Sequence, residues 1–190
     1  MPHHHFIMYK PFGYLSQFIG EGKKKKRLGE LYAFPPGTMS VGRLDEKSEG
    51  LLLLTTDGKL SNYISSAGIE KEYYVQVDGL VSKQAIEQLE QGMEIAIEGI
   101  KYQTKPCKAY ILELVPDLPQ RSRKVRDDRH GPTSWITITL TEGKFRQIRK
   151  MTAAVGFPTL RLIRIRIGNI HLSALQNGQV LEVKSLLDRM

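Results

Sequence analysis

The 190-residue sequence predicts an α+β fold, with a mainly antiparallel mixed sheet and flanking helices. Three observations carry that expectation. Short apolar runs, alternating or continuous, recur along the whole chain and read as strands. Helical periodicity appears only in scattered short stretches between them. The length suits one substantial core, divisible into two lobes.

In chain order, "FIMYKP" reads as a strand ended by Pro11, which offers no N–H to a ladder. "SVGRLD" and "LLLLTT" read as strand, turn and strand, with Asp57-Gly58 as the next turn. "KLSNYISS" reads as a short helix and "EYYVQVDGL" as a strand. Ser82 suits the N-cap of "KQAIEQLEQGM", whose Gly92 can end it. "EIAIEG", "KAYILEL" and "SWITITL" are further strands. A basic helix is expected from about Lys144 to Val155, closed by Gly156 before Pro158. "TLRLIRIRIG" alternates Arg164 and Arg166 with isoleucines, a half-buried strand with a basic face. The loop from Pro116 to Pro132 is long for a compact domain, so a functional lid or a disordered segment is expected there.

The hydrophobic fraction of 41% and charged fraction of 25% are ordinary for a globular protein. No apolar run is long enough to span a membrane, and the N-terminus lacks a signal-peptide core; a soluble, cytoplasmic protein is expected. The single cysteine, Cys107, cannot support an intrachain disulfide and fits a reducing cytosol. A net charge of +8 points to a polyanionic partner, and its distribution strengthens the point. "KKKKR" (23–27) and "RSRKVRDDR" (121–129) are polar basic stretches. In "EGKFRQIRKM", Lys144, Arg146, Arg149 and Lys150 share helical spacing with Phe145, Ile148 and Met151, giving one cationic and one apolar face. Basic clusters on several elements favour phosphate contacts.

Several kinds of site can be weighed. "HHH" at 3–5 lacks further ligands nearby in sequence and reads as a flexible arm. Cys107 has no CxxC partner, and no Walker or dinucleotide glycine pattern occurs. Arg43 and Asp45 stand at the entrance to the leucine run 51–54, where a carboxylate must be paired or functional. Alone, Asp45 reads as a turn or capping residue. With Glu49 it resembles the acid/base pair of sugar hydrolases, an odd task for so cationic a chain.

Three stretches read together change that balance. "GRLDEKSEGLLLLTTDG" (42–58), "KEYYVQV" (71–77) and "EGKFRQIRKM" (142–151) resemble, in this order, the pseudouridine synthases of the small-subunit type. "YKPFGYLSQF" (9–18) looks like that family's opening motif and "VGFPTLRLIRIRIG" (155–168) its closing one, so the likeness covers about residues 6–180. "PTSWITITLTEGKFRQIRKMTAAVGFPTLRLIR" is especially similar to members acting on large-subunit ribosomal RNA. Thr56 departs from the family's "TNDG", and a turn effect only is expected.

The resemblance implies a catalytic fold in two lobes with the active-site cleft between them and one catalytic domain over residues 1–190. Unlike many members of that family, this sequence starts almost directly at "FIMYKPFG", and no separate N-terminal RNA-binding domain is expected. It implies Asp45 as nucleophile, Tyr73 as the ring stacking on the target base and a candidate base for the carbon-5 proton, and Arg149 as the charge partner of Asp45. The alternative for Tyr73 is a core aromatic, as Tyr74 is expected to be on the opposite face. Ile148 would wall the pocket. Arg43, Lys144, Arg146 and Arg164 would hold the RNA. No cofactor or metal is implied. The implied partner is ribosomal RNA, 23S rRNA or a pre-large-subunit particle, and the protein is expected to be a monomer. A non-catalytic RNA-binding or assembly protein is the alternative, and would need the basic surfaces without Asp45, Tyr73 and Arg149 together.

Overall fold

A computed structural model describes residues 2–20, 25–126 and 128–190, and they form the predicted α+β architecture. Of the "KKKKR" run, Lys23 and Lys24 lie outside the described residues. The chain divides into two compact units. The first holds Met1–Ile69, Pro119–Ser122 and Ile163–Met190; the second holds Glu70–Leu118 and Arg123–Leu162.

In the first unit, β1 (His5–Lys10) is followed by the short β2 (Tyr14–Leu15) and β3 (Lys26–Arg27), then β4 (Met39–Val41), β5 (Glu49–Thr55) and helix α1 (Gly58–Ser66). Every residue of β5 is buried. This fits its continuous apolar run, since a strand covered on both faces need not alternate. It pairs antiparallel with β1 (Met8 opposite Leu52) and with β4 (Val41 opposite Leu53). The Asp57-Gly58 pair, expected as a turn, starts α1 instead. The Asp57 carboxylate accepts the Lys59 and Leu60 N–H groups at 2.9 and 3.1 Å, two of the donors a helix start leaves unmet. Phe6, Met8, Leu28, Leu52 and Leu54 form a core cluster, with Phe18, Leu31, Phe34 and Val180 packed on it. Each such side chain contributes roughly 1.5–3 kcal/mol by leaving water.

The second unit contains β6 (Lys71–Asp78), α2 (Lys83–Gln91), β7 (Glu94–Ile97), β8 (Ile100–Gln103), β9 (Lys108–Leu112), β10 (Thr133–Leu140) and α3 (Gln147–Ala154). Strand β10 lies between β6 and β9, antiparallel to both. The Ser82 hydroxyl caps α2 by accepting the Ala85 N–H at 3.2 Å, and Gly92 ends the helix at φ +78. β8 completes a hairpin with β7 that was not anticipated. Strand β11 (Thr159–Ile167) runs across the division between Leu162 and Ile163. Its later residues pair with the start of β5, parallel, and with β12 (Ile170–His171), while β13 (Val180–Val183) pairs with β1.

Further expectations are corrected at the N-terminus and before the basic helix. The HHH stretch is tied into the fold rather than loose. His4 exchanges hydrogen bonds with Thr56 (N–H to Oγ1 at 2.9 Å, carbonyl from the Thr56 N–H at 3.0 Å), and His5 Nδ1 lies 2.9 Å from Thr55 Oγ1. Thr56 thus also anchors the N-terminal strand beyond any turn effect. The basic helix begins at Gln147, not near Lys144, because Arg146 takes a left-handed conformation (φ +52) that helix cannot continue through. In the 116–132 loop, Pro119–Ser122 belong to the first unit and Asp128–His130 form a 3₁₀ turn.

Candidate active site

The GRLD residues lie in the connection between β4 and β5, and backbone and side-chain hydrogen bonds fix that turn. Ser16 grips Leu44 twice: its hydroxyl donates to the Leu44 carbonyl at 2.8 Å and accepts the Leu44 N–H at 3.0 Å. The Gly13 N–H donates to the Glu46 carbonyl at 2.8 Å, and the Ser48 N–H to the Asp45 carbonyl at 3.0 Å. Leu44 is buried, Asp45 half-buried and Arg43 exposed. A carboxylate at the rim of a rigid turn, half open to solvent, is suitably placed to attack an electrophile.

Beneath the turn, the first unit buries an unusual set of charges. Lys10 is fully buried, and its ammonium donates to the Pro11 carbonyl at 2.9 Å. Burial pushes Lys10 down to about 7, with the charges of Glu49, Asp45 and Glu46 working against that fall. Glu49 is fully buried, with Tyr9 Oη 3.4 Å from Oε1 and Arg121 Nε 3.7 Å from Oε2. Such a carboxylate is occupied in holding structure and is a poor second acid for hydrolysis. Arg164 corrects the expectation of a basic strand face. It is only 3% exposed, and its Nε donates to the Leu51 carbonyl at 2.8 Å. It secures β11 to β5 and presents no guanidinium to a phosphate.

In the second unit, Tyr73 shares the buried face of β6 with Val75 and Val77 and stands opposite Ile138 of β10. Tyr74, expected in the core, is the half-exposed neighbour. Glu142 organises the approach to α3. It accepts the Tyr102 hydroxyl, the Lys105 N–H at 2.9 Å and the Gln147 side-chain amide at 2.7 Å. Gln147 in turn accepts the Lys144 N–H at 3.1 Å. Burial opposes the charge on Glu142, yet these hydrogen bonds hold its carboxyl below the usual glutamate range. Ile148 is buried and Arg149 half-buried on α3; Lys144 is exposed and Arg146 half-exposed. Lys150 reaches the Ala96 carbonyl at 2.6 Å, so it braces α3 to the hairpin.

The structure therefore brings Asp45 together with Lys10, Ser16 and Glu49 in one unit, and Tyr73, Ile148 and Arg149 share the other. Sequence reasoning missed Lys10, Ser16, Glu142 and Gln147 as supporting groups. The only available signal was that Lys10 and Glu49 are ionisable residues bordering apolar runs. Among the described residues, no group of three or more His, Cys, Asp or Glu is placed to hold a metal ion.

Comparison with known proteins agrees with the motifs. The family model described as RNA pseudouridylate synthase matches residues 4–154. The chain is 39% identical over 171 residues to a protein of Xanthomonas axonopodis pv. citri named ribosomal large subunit pseudouridine synthase E, covering 89% of this chain and 88% of the relative. It is 41% identical to the protein of that name from Vibrio parahaemolyticus, covering 94% of this chain and 73% of the relative. A crystal structure of a pseudouridylate synthase superposes with a TM-score of 0.77 at 27% identity, over 95% of this chain and 70% of that one. The chain belongs to the RNA pseudouridylate synthase family.

Proposed function

We propose that this protein isomerises a uridine to pseudouridine in ribosomal RNA, with 23S rRNA or a pre-large-subunit particle as substrate. What carries the reading is a half-buried Asp45 held on a hydrogen-bonded turn inside a family motif, in a chain about 40% identical to proteins named for that activity. The bond from the sugar to ring nitrogen 1 breaks, the ring turns, and a bond forms from the same sugar carbon to carbon 5. Nitrogen 1 gains a proton and carbon 5 loses one, so the reaction is redox-neutral and needs no cofactor.

Asp45 serves as the nucleophile or stabilises the developing sugar cation. The base must leave its stack to reach this carboxylate, at a cost of a few kcal/mol. Tyr73 stacks on the uracil and takes the carbon-5 proton, Ile148 walls the ring, and Arg149 pairs with Asp45. These three belong to a different unit from Asp45, and their joint action is proposed from family membership. Arg43, Lys144 and Arg146, each at least partly exposed, are assigned to phosphates. The whole chain acts as one catalytic domain, as a monomer in the cytoplasm.

Asp45→Asn tests the reading directly. Pseudouridine formation should disappear while RNA binding, which rests on phosphate contacts, persists. Substantial turnover by the purified variant refutes the assignment.

A further inference from the structure

Two features singled out in the sequence, Glu49 and the 116–132 loop, are left without a role by the reaction, and the structure joins them. Arg121 comes from the Pro119–Ser122 segment of that loop, which belongs to the first unit. Its side chain is 10% exposed, with Nε 3.7 Å from the Glu49 carboxylate and the guanidinium 3.7 Å from the centre of the Phe12 ring.

Both contacts stand next to a residue that grips the Asp45 turn. Phe12 precedes Gly13, whose N–H holds the Glu46 carbonyl; Glu49 follows Ser48, whose N–H holds the Asp45 carbonyl. Arg121 therefore braces the turn from its two flanks at once. A planar guanidinium suits this, since it can lie flat on a ring while its edge faces a carboxylate, a geometry that a lysine ammonium does not reproduce. Glu49 is further fixed by Tyr9, from the strand that leads into Phe12.

We propose that Arg121, through Glu49 and Phe12, is a positioning residue for the isomerisation: it holds the Asp45 turn in its reactive geometry without touching the substrate. This rests on the reading of Asp45 as the nucleophile. Displacing a reacting group by about 1 Å can cost on the order of a hundredfold in rate, so a loosened turn should show in turnover before it shows in binding.

The test measures kcat, KM and RNA affinity for Arg121→Ala, Arg121→Lys, Glu49→Gln and the Arg121→Ala/Glu49→Gln pair on transcribed 23S rRNA. Assays run at a temperature where thermal melting shows each variant folded. Arg121→Ala should lower kcat by about ten- to a hundredfold, with KM and affinity within about twofold. Arg121→Lys should recover only part of the loss, and the double variant should lose little more than the worse single one. Wild-type kcat in folded Arg121→Ala overturns the proposal, as does a loss confined to KM and affinity, which would make Arg121 an RNA contact. If Arg121→Ala does not fold, wild-type kcat in both Arg121→Lys and Glu49→Gln overturns it equally. Activity in Asp45→Asn, measured alongside, would instead locate the failure in the reading of the nucleophile.

Discussion

Replacing Gly50 by alanine tests whether the strand beneath the candidate nucleophile is as tightly set as the structure indicates. Gly50 follows Glu49 in β5, at φ +99, and lies opposite Lys10 of β1 and Arg164 of β11. A Cβ there would sit 2.3 Å from the Arg164 carbonyl oxygen, 2.9 Å from the Arg164 nitrogen and 2.7 Å from Ile163 Cγ2. Two of these neighbours are backbone, and the Arg164 side chain is itself bonded to the Leu51 carbonyl, so β11 cannot easily step aside. The positive φ costs an alanine about 1–3 kcal/mol. Forcing apart a packed site adds about 1–3 kcal/mol, more where backbone must move. A loss of about 4 kcal/mol is expected, or roughly 10 °C in melting temperature for a chain of this size. Urea unfolding measures it, with Gly58→Ala as the control. At Gly58, the first residue of α1, the nearest atom to an added Cβ is Met39 Cε at 3.9 Å, and stability should hold or rise slightly. A loss below about 1 kcal/mol at Gly50 would refute the picture of a locked β5–β11 contact.

Tyr73→Phe keeps the ring and loses the hydroxyl, so RNA affinity should persist while tritium release from carbon-5-labelled RNA slows by roughly a hundredfold or more; wild-type release would move the base elsewhere. Alanines at Lys23 to Lys26 should weaken RNA binding and reduce the log–log salt slope by roughly 0.7 per lost single-strand phosphate contact. Two of these are described: Lys25, 3.4 Å from Glu46, and Lys26, over the Tyr14 ring. An unchanged slope would make the run a merely solvated face. Lys10, held down to about 7 by burial, should make stability rise with pH, because above that value the unfolded chain holds a proton the folded chain has released. From pH 7 to about 8.5 the gain is about 1.5 kcal/mol, and Lys10→Met should flatten it. Burial raises the Cys107 thiol to about 11, and the opposing loss as the unfolded thiol ionises reaches only about 0.2 kcal/mol by pH 8.5.

What the sequence made legible was whatever depends on local pattern. The Ser82 cap, the Gly92 stop, the burial of the leucine run in β5 and the alternation of β6 follow from neighbours along the chain, whereas β10 alternates in sequence but is buried on both faces from Trp135 to Leu140. Asp45, Tyr73 and Arg149 come forward through resemblance, since no spacing rule singles them out, and their roles stand as proposals. The failures share one cause, which is that each depends on a specific partner that periodicity does not name. Arg164 has the alternation of a basic strand face, yet it is drawn inward by the Leu51 carbonyl, 113 residues away. Lys144 and Arg146 fit a helical period, but Glu142 and Gln147 fix the preceding segment in another conformation and delay the helix. The hairpin strand Ile100–Gln103 has too few apolar residues to stand out, and its pairing with β7 decides it.

The buried charges of the first unit raise a question of purpose that stability alone does not answer. Lys10, Glu49, Arg121 and Arg164 are each about nine-tenths buried or more, and apolar residues of similar volume usually serve a core at least as well. Moving a lysine from its ordinary value to about 7 corresponds by itself to a penalty on the order of 5 kcal/mol. Apolar packing, however, tolerates small slides between neighbours, whereas a charge with a directional partner has one favoured place. The geometry shows where that selectivity is spent. Lys10 and Glu49 sit at the ends of β1 and β5, the two strands that lead into and out of the loops gripping Asp45. Arg164 binds the next residue but one along β5 from Glu49. The costly groups thus line the base of one turn and leave the leucine core beyond it wholly apolar. That distribution is expected if the first unit is selected to hold Asp45 in place at the expense of its own stability.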